Sequence, residues 1–194
     1  MTALLVVLSG PGAVGKDTLI ELMRARDPRL TYSVSYTTRP RRDYEVDGEH
    51  YCFVDEAEFW RLTAEGELLE HARVNSHLYG TSTSRVFEAL RLGRDVILKI
   101  DVQGAEQVRE RCPDAVFVFV EPPSMEELLR RRTQRASEPP DVMEARQRLA
   151  EVEMGYASGY DHVVVNDDAG RAAAEILAIL DRERRRRREP ARSS

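Results

Sequence analysis

Four apolar runs stand out along an otherwise charged chain: Leu4 to Gly10 (LLVVLSG), Asp95 to Asp101 (DVILKID), Ala115 to Glu121 (AVFVFVE) and Asp161 to Asp167 (DHVVVND). A run with no polar alternation has no solvent face, so each predicts a parallel strand buried on both sides. The segments between them are long enough for crossover helices, which makes the architecture α/β. Directly after the first run and a glycine-containing loop, TLIELMRAR puts Leu19, Ile20, Leu22 and Met23 at helical spacing.

Between Tyr32 and about Arg85 the pattern changes. SVSYTTR and HYCFV are short and β-rich, Asp47-Gly48 marks a tight turn, and the stretch predicts a small β-rich insertion. Within it DEAEFWRLTAEG predicts a short helix ended by Gly66, with Phe59, Trp60 and Leu62 as its apolar side. From Ser124 to Met154 the chain is charged and helical in pattern, but the two prolines of SEPPD forbid one continuous helix. Two helices joined by an elbow, suited to act as a lid, are expected. The arginine run after Leu180 has no apolar face and predicts a solvated, frayed helix end. No internal repeat is visible.

Composition narrows the function classes. A chain of 194 residues fits one domain with small insertions and buries roughly 70% of its unfolded surface, so no staples are needed. Cys52 and Cys112 have no metal-ligand spacing and read as reduced thiols. No run is long enough to span a bilayer and Met1-Thr2-Ala3 lacks a basic leader, so a cytoplasmic protein without a membrane partner is expected. A net charge of -5 argues against a general nucleic-acid binder. The four histidines share no ligand spacing, and no Ser-His-Asp arrangement is evident.

The chemistry concentrates in GPGAVGKDT, Gly10 to Thr18. Gly10, Gly15 and Lys16 match GxxxxGK, placed between a buried strand and an amphipathic helix as that motif requires. Backbone N–H groups of such a loop point inward at an anion, the helix N-terminus adds its dipole, and Lys16 neutralises β- and γ-phosphates. The next position holds Asp17 where a hydroxyl normally reaches Mg²⁺. A carboxylate is a hard oxygen ligand able to take over that role, yet it also sets negative charge beside a triphosphate. The loop alone leaves retuned and impaired catalysis both open.

With GPGAVGKDT, the segments SVSYTTRPRRDYEVDGEHYCFV, GELLEHARVNSHLYGTS, DVILKIDVQGA, VFVEPPSMEEL and YDHVVVND resemble the guanylate kinase family from Leu4 to about Leu180. The resemblance implies a three-layer P-loop nucleoside-monophosphate-kinase fold: a parallel-sheet core, a small β-rich GMP-binding insertion and a helical lid. It implies core at 1–31, GMP-binding subdomain at 32–85, core at 86–124, lid at 125–150 and core at 151–182, and the basic run itself leaves a disordered tail at 183–194. The implied reaction moves the γ-phosphoryl group of ATP to GMP, with Mg²⁺; oligomeric state is left open.

By that resemblance Gly10, Pro11, Gly12, Ala13, Val14, Gly15, Lys16, Asp17 and Thr18 bind ATP, with Arg131, Arg135 and Asn166. Arg39, Arg42, Tyr51 and Tyr79 match ligands of the GMP phosphate, and Ser35, Glu70 and Thr81 match readers of the guanine. Asp101 matches an acid beside the transferring phosphates. Lys16, Arg42, Asp101, Arg135 and Arg146 are the expected catalytic set, and Asp17 the expected metal ligand. Guanine shows N1–H and an amine on one edge, two donors that one carboxylate accepts, whereas adenine shows an acceptor there.

The departures from the pattern are as informative. Lys99 stands where the family commonly has an acid, and a lysine there offsets the extra charge of Asp17. Ala136 and Pro139-Pro140 replace a glycine-threonine segment and stiffen the elbow. Gly12 and Ala13 replace a Ser-Gly pair, and Ala13 is strained if its φ is positive. Two other readings remain: a binding module of this fold without ATP chemistry, and a kinase of this fold acting on a modified nucleotide or a sugar phosphate.

Overall fold

The computed structural model describes residues 3–74, 76–135 and 140–188, except the side chains of 132, 134, 135 and 140–146. The four apolar runs become β1 (Leu5–Ser9), β7 (Asp95–Lys99), β8 (Val116–Glu121) and β9 (His162–Val165). With β2 (Leu30–Tyr32) they form one parallel sheet in the order β2-β7-β1-β8-β9. The edge strand β2 was not expected, and its pairing with β7 assigns Tyr32 to the core sheet rather than to the insertion.

Both faces of the sheet are covered at β1, β7 and β8, which explains their unbroken apolar runs. In contrast β9, expected to be buried on both sides, is an edge strand that buries Val164 and leaves Val163 and Val165 exposed. Leu4, Val6 and Leu8 pack with Leu19, Ile20 and Met23 of α1 (Lys16–Arg26) and with Ile176 and Leu180 of α7 (Ala169–Arg188). The alternate residues Leu5 and Val7 pack with Val86 of α3 (Thr83–Arg91) and Ala105 and Val108 of α4 (Val102–Arg111). The result is a three-layer α/β fold. The chain leaves β1 for one edge of the sheet and later crosses to the other, so the loop after β1 lies at the reversal where such sheets bind ligands.

The insertion builds a second sheet, β4-β3-β6-β5, from β3 (Tyr36–Thr37), β4 (Cys52–Phe53), β5 (Leu68–Val74) and β6 (His77–Ser82). Its main pairing is the antiparallel hairpin of β5 and β6, absent from the sequence expectations. Against it lies α2 (Glu56–Ala64), N-capped by Asp55 and burying Phe59 and Leu62. Trp60 was expected on the buried side but is 44% exposed, with one edge of its ring system against His71. Two further helices, α5 (Met125–Arg135) and α6 (Pro140–Met154), follow β8. The elbow residues Ala136 and Pro139 lie outside the described residues.

The basic tail is corrected in its first part. Residues 183–188 continue α7, and Arg184 is buried at 6% exposure rather than solvated. Its guanidinium reaches Asp95 Oδ2 at 2.5 Å, Asp27 Oδ2 at 2.8 Å and Asp181 Oδ1 at 2.6 Å. Asp95 also accepts a bond from the Leu4 amide at 2.6 Å, so one arginine ties the last helix to the start of β1 and β7. The rest of the expected tail, 189–194, lies outside the described residues. Arg184→Met leaves two buried carboxylates facing each other, and should lower the unfolding free energy by about 3 kcal/mol in urea titrations.

Candidate active site

The phosphate loop is held in shape from three sides. Gly10 has φ 144°, and a Cβ there would sit 2.2 Å from the Val120 carbonyl oxygen, so the loop passes too close to β8 for a side chain. Val14 is fully buried in the core, and its carbonyl accepts from Asn166 Nδ2 at 2.8 Å. Pro11 is buried, and its carbonyl accepts from the Val14 amide at 3.2 Å. Pro11 and Val14, expected among the ATP-binding residues, thus anchor the loop, while Gly12 and Thr18 are exposed.

Ala13 has φ 67°, so the strain raised by its replacement of glycine is present. The left-handed region costs a non-glycine residue about 1–2 kcal/mol, partly offset by the extra unfolded-state freedom of glycine. Ala13→Gly should therefore raise stability by about 0.5–1 kcal/mol, read as a shift in the urea midpoint at constant slope.

Lys16 opens α1 and folds back on its own loop, donating to the carbonyls of Gly10 at 2.5 Å and Pro11 at 3.2 Å. Burial, partly countered by Glu153, lowers its pKa to about 8. Its neighbour Asp17 is 71% exposed and pairs with Lys99 at 2.5 Å, 82 residues away in sequence. That contact places the two departures from the family pattern side by side. Burial disfavours the Lys99 charge, but Tyr32, Tyr51 and Asp17 together hold its pKa above the ordinary lysine value.

Across the cavity stands Glu70, on β5 and 2% exposed. Thr81 of β6 donates its hydroxyl to Glu70 Oε1 at 2.6 Å. The strand is clipped to α4: Gln107 exchanges two bonds with the His71 backbone, and Arg111 donates to the carbonyls of Leu68 and Leu69. Gly104 lets α4 approach, since a Cβ there would sit 2.3 Å from Glu70 Oε2. Burial raises the Glu70 pKa to about 7, opposed by the Thr81 bond and, more weakly, by Arg111, and assisted by Asp101.

Ser35, Glu70, Lys16 and Asp101 line one cavity of about 230 Å³. Asp101 caps α4, accepting from the Gly104 amide at 2.8 Å, and burial raises its pKa. Glu153 of α6, 8% exposed, lines the same cavity. Sequence reasoning missed it, because one acid in a charged helix carries no pattern.

A larger cleft of about 840 Å³ adjoins it, lined by Arg39, Arg42, Tyr51 and Tyr79. Arg39 pairs with Glu45 at 2.6 Å and lies 5.4 Å from the Tyr51 ring centre. Glu45, 4% exposed, also accepts from the Arg42 amide at 2.8 Å, so one missed acid holds the Arg39 guanidinium and the Arg42 backbone. Tyr51 and Tyr79 meet edge to face, with ring centres 5.9 Å apart. On the far side of the loop a groove is lined by Ala13, Gly15, Thr18, Asn166 and Arg131. Arg131 is set by Glu127 at 2.8 Å and donates to the carbonyls of Val14 and Asn166. The side chains of Arg135 and Arg146 lie outside the described residues.

A phosphate loop at the reversal of a parallel sheet, facing a cationic cleft on an inserted sheet, defines a P-loop phosphotransferase with a separate acceptor pocket. A family model described as guanylate kinase matches residues 2–183. The guanylate kinase of Alkalilimnicola ehrlichii is 47% identical, over 98% of this chain and 95% of its own length. That of Symbiobacterium thermophilum is 49% identical, over 94% and 87%. The crystal structure of guanylate kinase from Anaplasma phagocytophilum superposes with a TM-score of 0.77 at 36% identity, covering 94% of this chain and 86% of that one. The chain belongs to the guanylate kinase family.

Proposed function

We infer that the chain transfers the γ-phosphoryl group of ATP to GMP, giving ADP and GDP. The observation that carries this reading is the buried Glu70–Thr81 pair in the cavity that also holds Lys16. A buried carboxylate is costly unless a ligand brings donors to it, and guanine brings two. A sugar phosphate has no such edge, and a module without ATP chemistry has no use for Lys16.

In the reaction an oxygen of the GMP phosphate attacks the γ-phosphorus in line, and the bond to the ADP oxygen breaks. That oxygen is already ionised near neutral pH, so no general base is needed. The protein's task is positioning and charge neutralisation. Arg39, Arg42, Tyr51 and Tyr79 hold the acceptor phosphate, with Ser35 and Asp101 beside the nucleoside. The loop amides and Lys16 hold the donor, exchanging the bonds to Gly10 and Pro11 for charge-assisted ones. In this reading α5 and α6 form the lid carrying Arg131, Arg135 and Arg146, and Asn166 flanks the ATP groove.

Among the described residues no cluster of three or more His, Cys, Asp or Glu is placed to hold a metal ion. Magnesium fits the donor set nonetheless, since it binds through one or two carboxylates plus substrate phosphates. Asp17 would hold it, with Asp101 near its water shell, and the ion would supply charge neutralisation on the β- and γ-phosphates. Among the described residues no helix is long and apolar enough to cross a membrane. The free thiols of Cys52 and Cys112 suit the cytoplasm, the setting we propose.

ADP release from Mg-ATP with GMP, dGMP, IMP, AMP and UMP as acceptors tests the reading. Turnover should favour GMP over AMP by about 10³-fold or more. GMP binding without turnover would leave the binding module in its place.

The elevated pKa of Glu70 gives a further expectation. The carboxylate must be ionised to accept from guanine, and its folded pKa is about 7, so affinity should fall as pH drops below 7. Guanosine is the probe, because it has no phosphate whose own ionisation near pH 6 would intrude. Its dissociation constant should rise about tenfold per unit below that pKa, and Glu70→Gln should abolish the dependence.

A further inference from the structure

Lys99 ends β7 beside the phosphate-loop strand, in register with Leu8. Its side chain is 15% exposed and borders both cavities, the inner one with Lys16 and Glu70 and the outer cleft with Arg39 and Arg42. The ammonium lies 5.3 Å from the Tyr51 ring centre and 5.6 Å from that of Tyr32. Asp17 fixes it at 2.5 Å. Of 29 basic residues only Lys16 and Lys99 are lysines, and both line the inner cavity. In a chain that uses arginine everywhere else, an ammonium in these two places points to a need for a compact charge on a thin stem. A phosphate approached from below meets that need, whereas a planar fork needs more room.

We propose that Lys99 is a cationic ligand of the acceptor phosphate, opposite Arg39 and Arg42, and that Asp17 is its positioning residue. The proposal rests on the acceptor reading above, in which Tyr51, the ring beneath Lys99, touches the same phosphate. It gives Asp17 a task toward the acceptor as well as toward the donor. The ammonium then stands between two polyanions that must approach each other, where mutual repulsion is greatest.

The experiment compares equilibrium binding of GMP and guanosine to the whole protein, as wild type, Lys99→Met, Asp17→Asn and the double variant Asp17→Ser with Lys99→Met. Lys99→Met should weaken GMP on the order of 10- to 100-fold, the loss of one charge-assisted contact, and leave guanosine unchanged. Asp17→Asn, at an exposed position, should weaken GMP by a smaller factor, again sparing guanosine. The double variant should stay as weak for GMP as Lys99→Met.

Three results would overturn the proposal. Unchanged GMP affinity in Lys99→Met removes the contact. Equal losses for GMP and guanosine reduce Lys99 to a structural part. Full recovery in the double variant shows that Lys99 only offsets Asp17. A wild type that binds neither compound defeats the acceptor reading itself, a result distinct from all three.

Discussion

Lys16→Met is expected to lower kcat about 10³-fold while leaving the KM for GMP within a fewfold of wild type. The lysine is the ammonium that the phosphate loop itself presents, and it is held ready by the carbonyls of Gly10 and Pro11. A phosphate therefore replaces these neutral acceptors at little cost. Losing one preorganised donor at a developing charge typically costs 10²–10³ in kcat, and a full positive charge sits at the upper end. Methionine keeps the length and apolar stem, so the loop, fixed by Val14 and Asn166, should fold as before. Single-turnover phosphoryl transfer, with KM measured separately for each substrate, checks this. A matching rise in the KM for GMP would mean that Lys16 serves the acceptor instead.

Glu70→Gln is expected to reduce kcat/KM for GMP by about 10³-fold with ATP affinity unchanged. The amide keeps one acceptor, which Thr81 already uses on Oε1, and turns an NH₂ toward a guanine donor. A buried donor then faces a buried donor, and sites that leave polar groups unpaired reject ligands by 10⁴ or more in strong cases. The substitution is nearly isosteric, so β5, clipped by Gln107 and Arg111, should not move. Steady-state kinetics with each substrate varied, together with ATP binding, gives both numbers.

What could be read from the sequence was whatever repeats a pattern. The runs that became β1, β7 and β8 have no polar alternation because helices cover both faces of their sheet there, while β9 kept the same apolar pattern at an edge where Val163 and Val165 are exposed. β2 escaped because three residues carry too little pattern and its place is set by pairing with β7. The hairpin of β5 and β6 escaped because LLEHARV has Glu70 on a buried position, and an acid there spoils the apolar signal. Arg184 misled for a similar reason, since its partners Asp27 and Asp95 lie far away in sequence. Glu45 and Glu153 carry no local signal, and their roles exist only once the chain is folded. Asp17 and Lys99 were each visible as oddities, and the structure brings them together.

The most direct test is the ratio of kcat/KM for GMP to that for AMP, measured in the wild type and in Glu70→Gln. The central claim is that one buried carboxylate, beside the phosphate loop, selects the acceptor. The account predicts a ratio of about 10³ or more that collapses by about 10³-fold in the variant, chiefly through loss of GMP. A ratio that survives the substitution would contradict it and place the reading of the base on other residues.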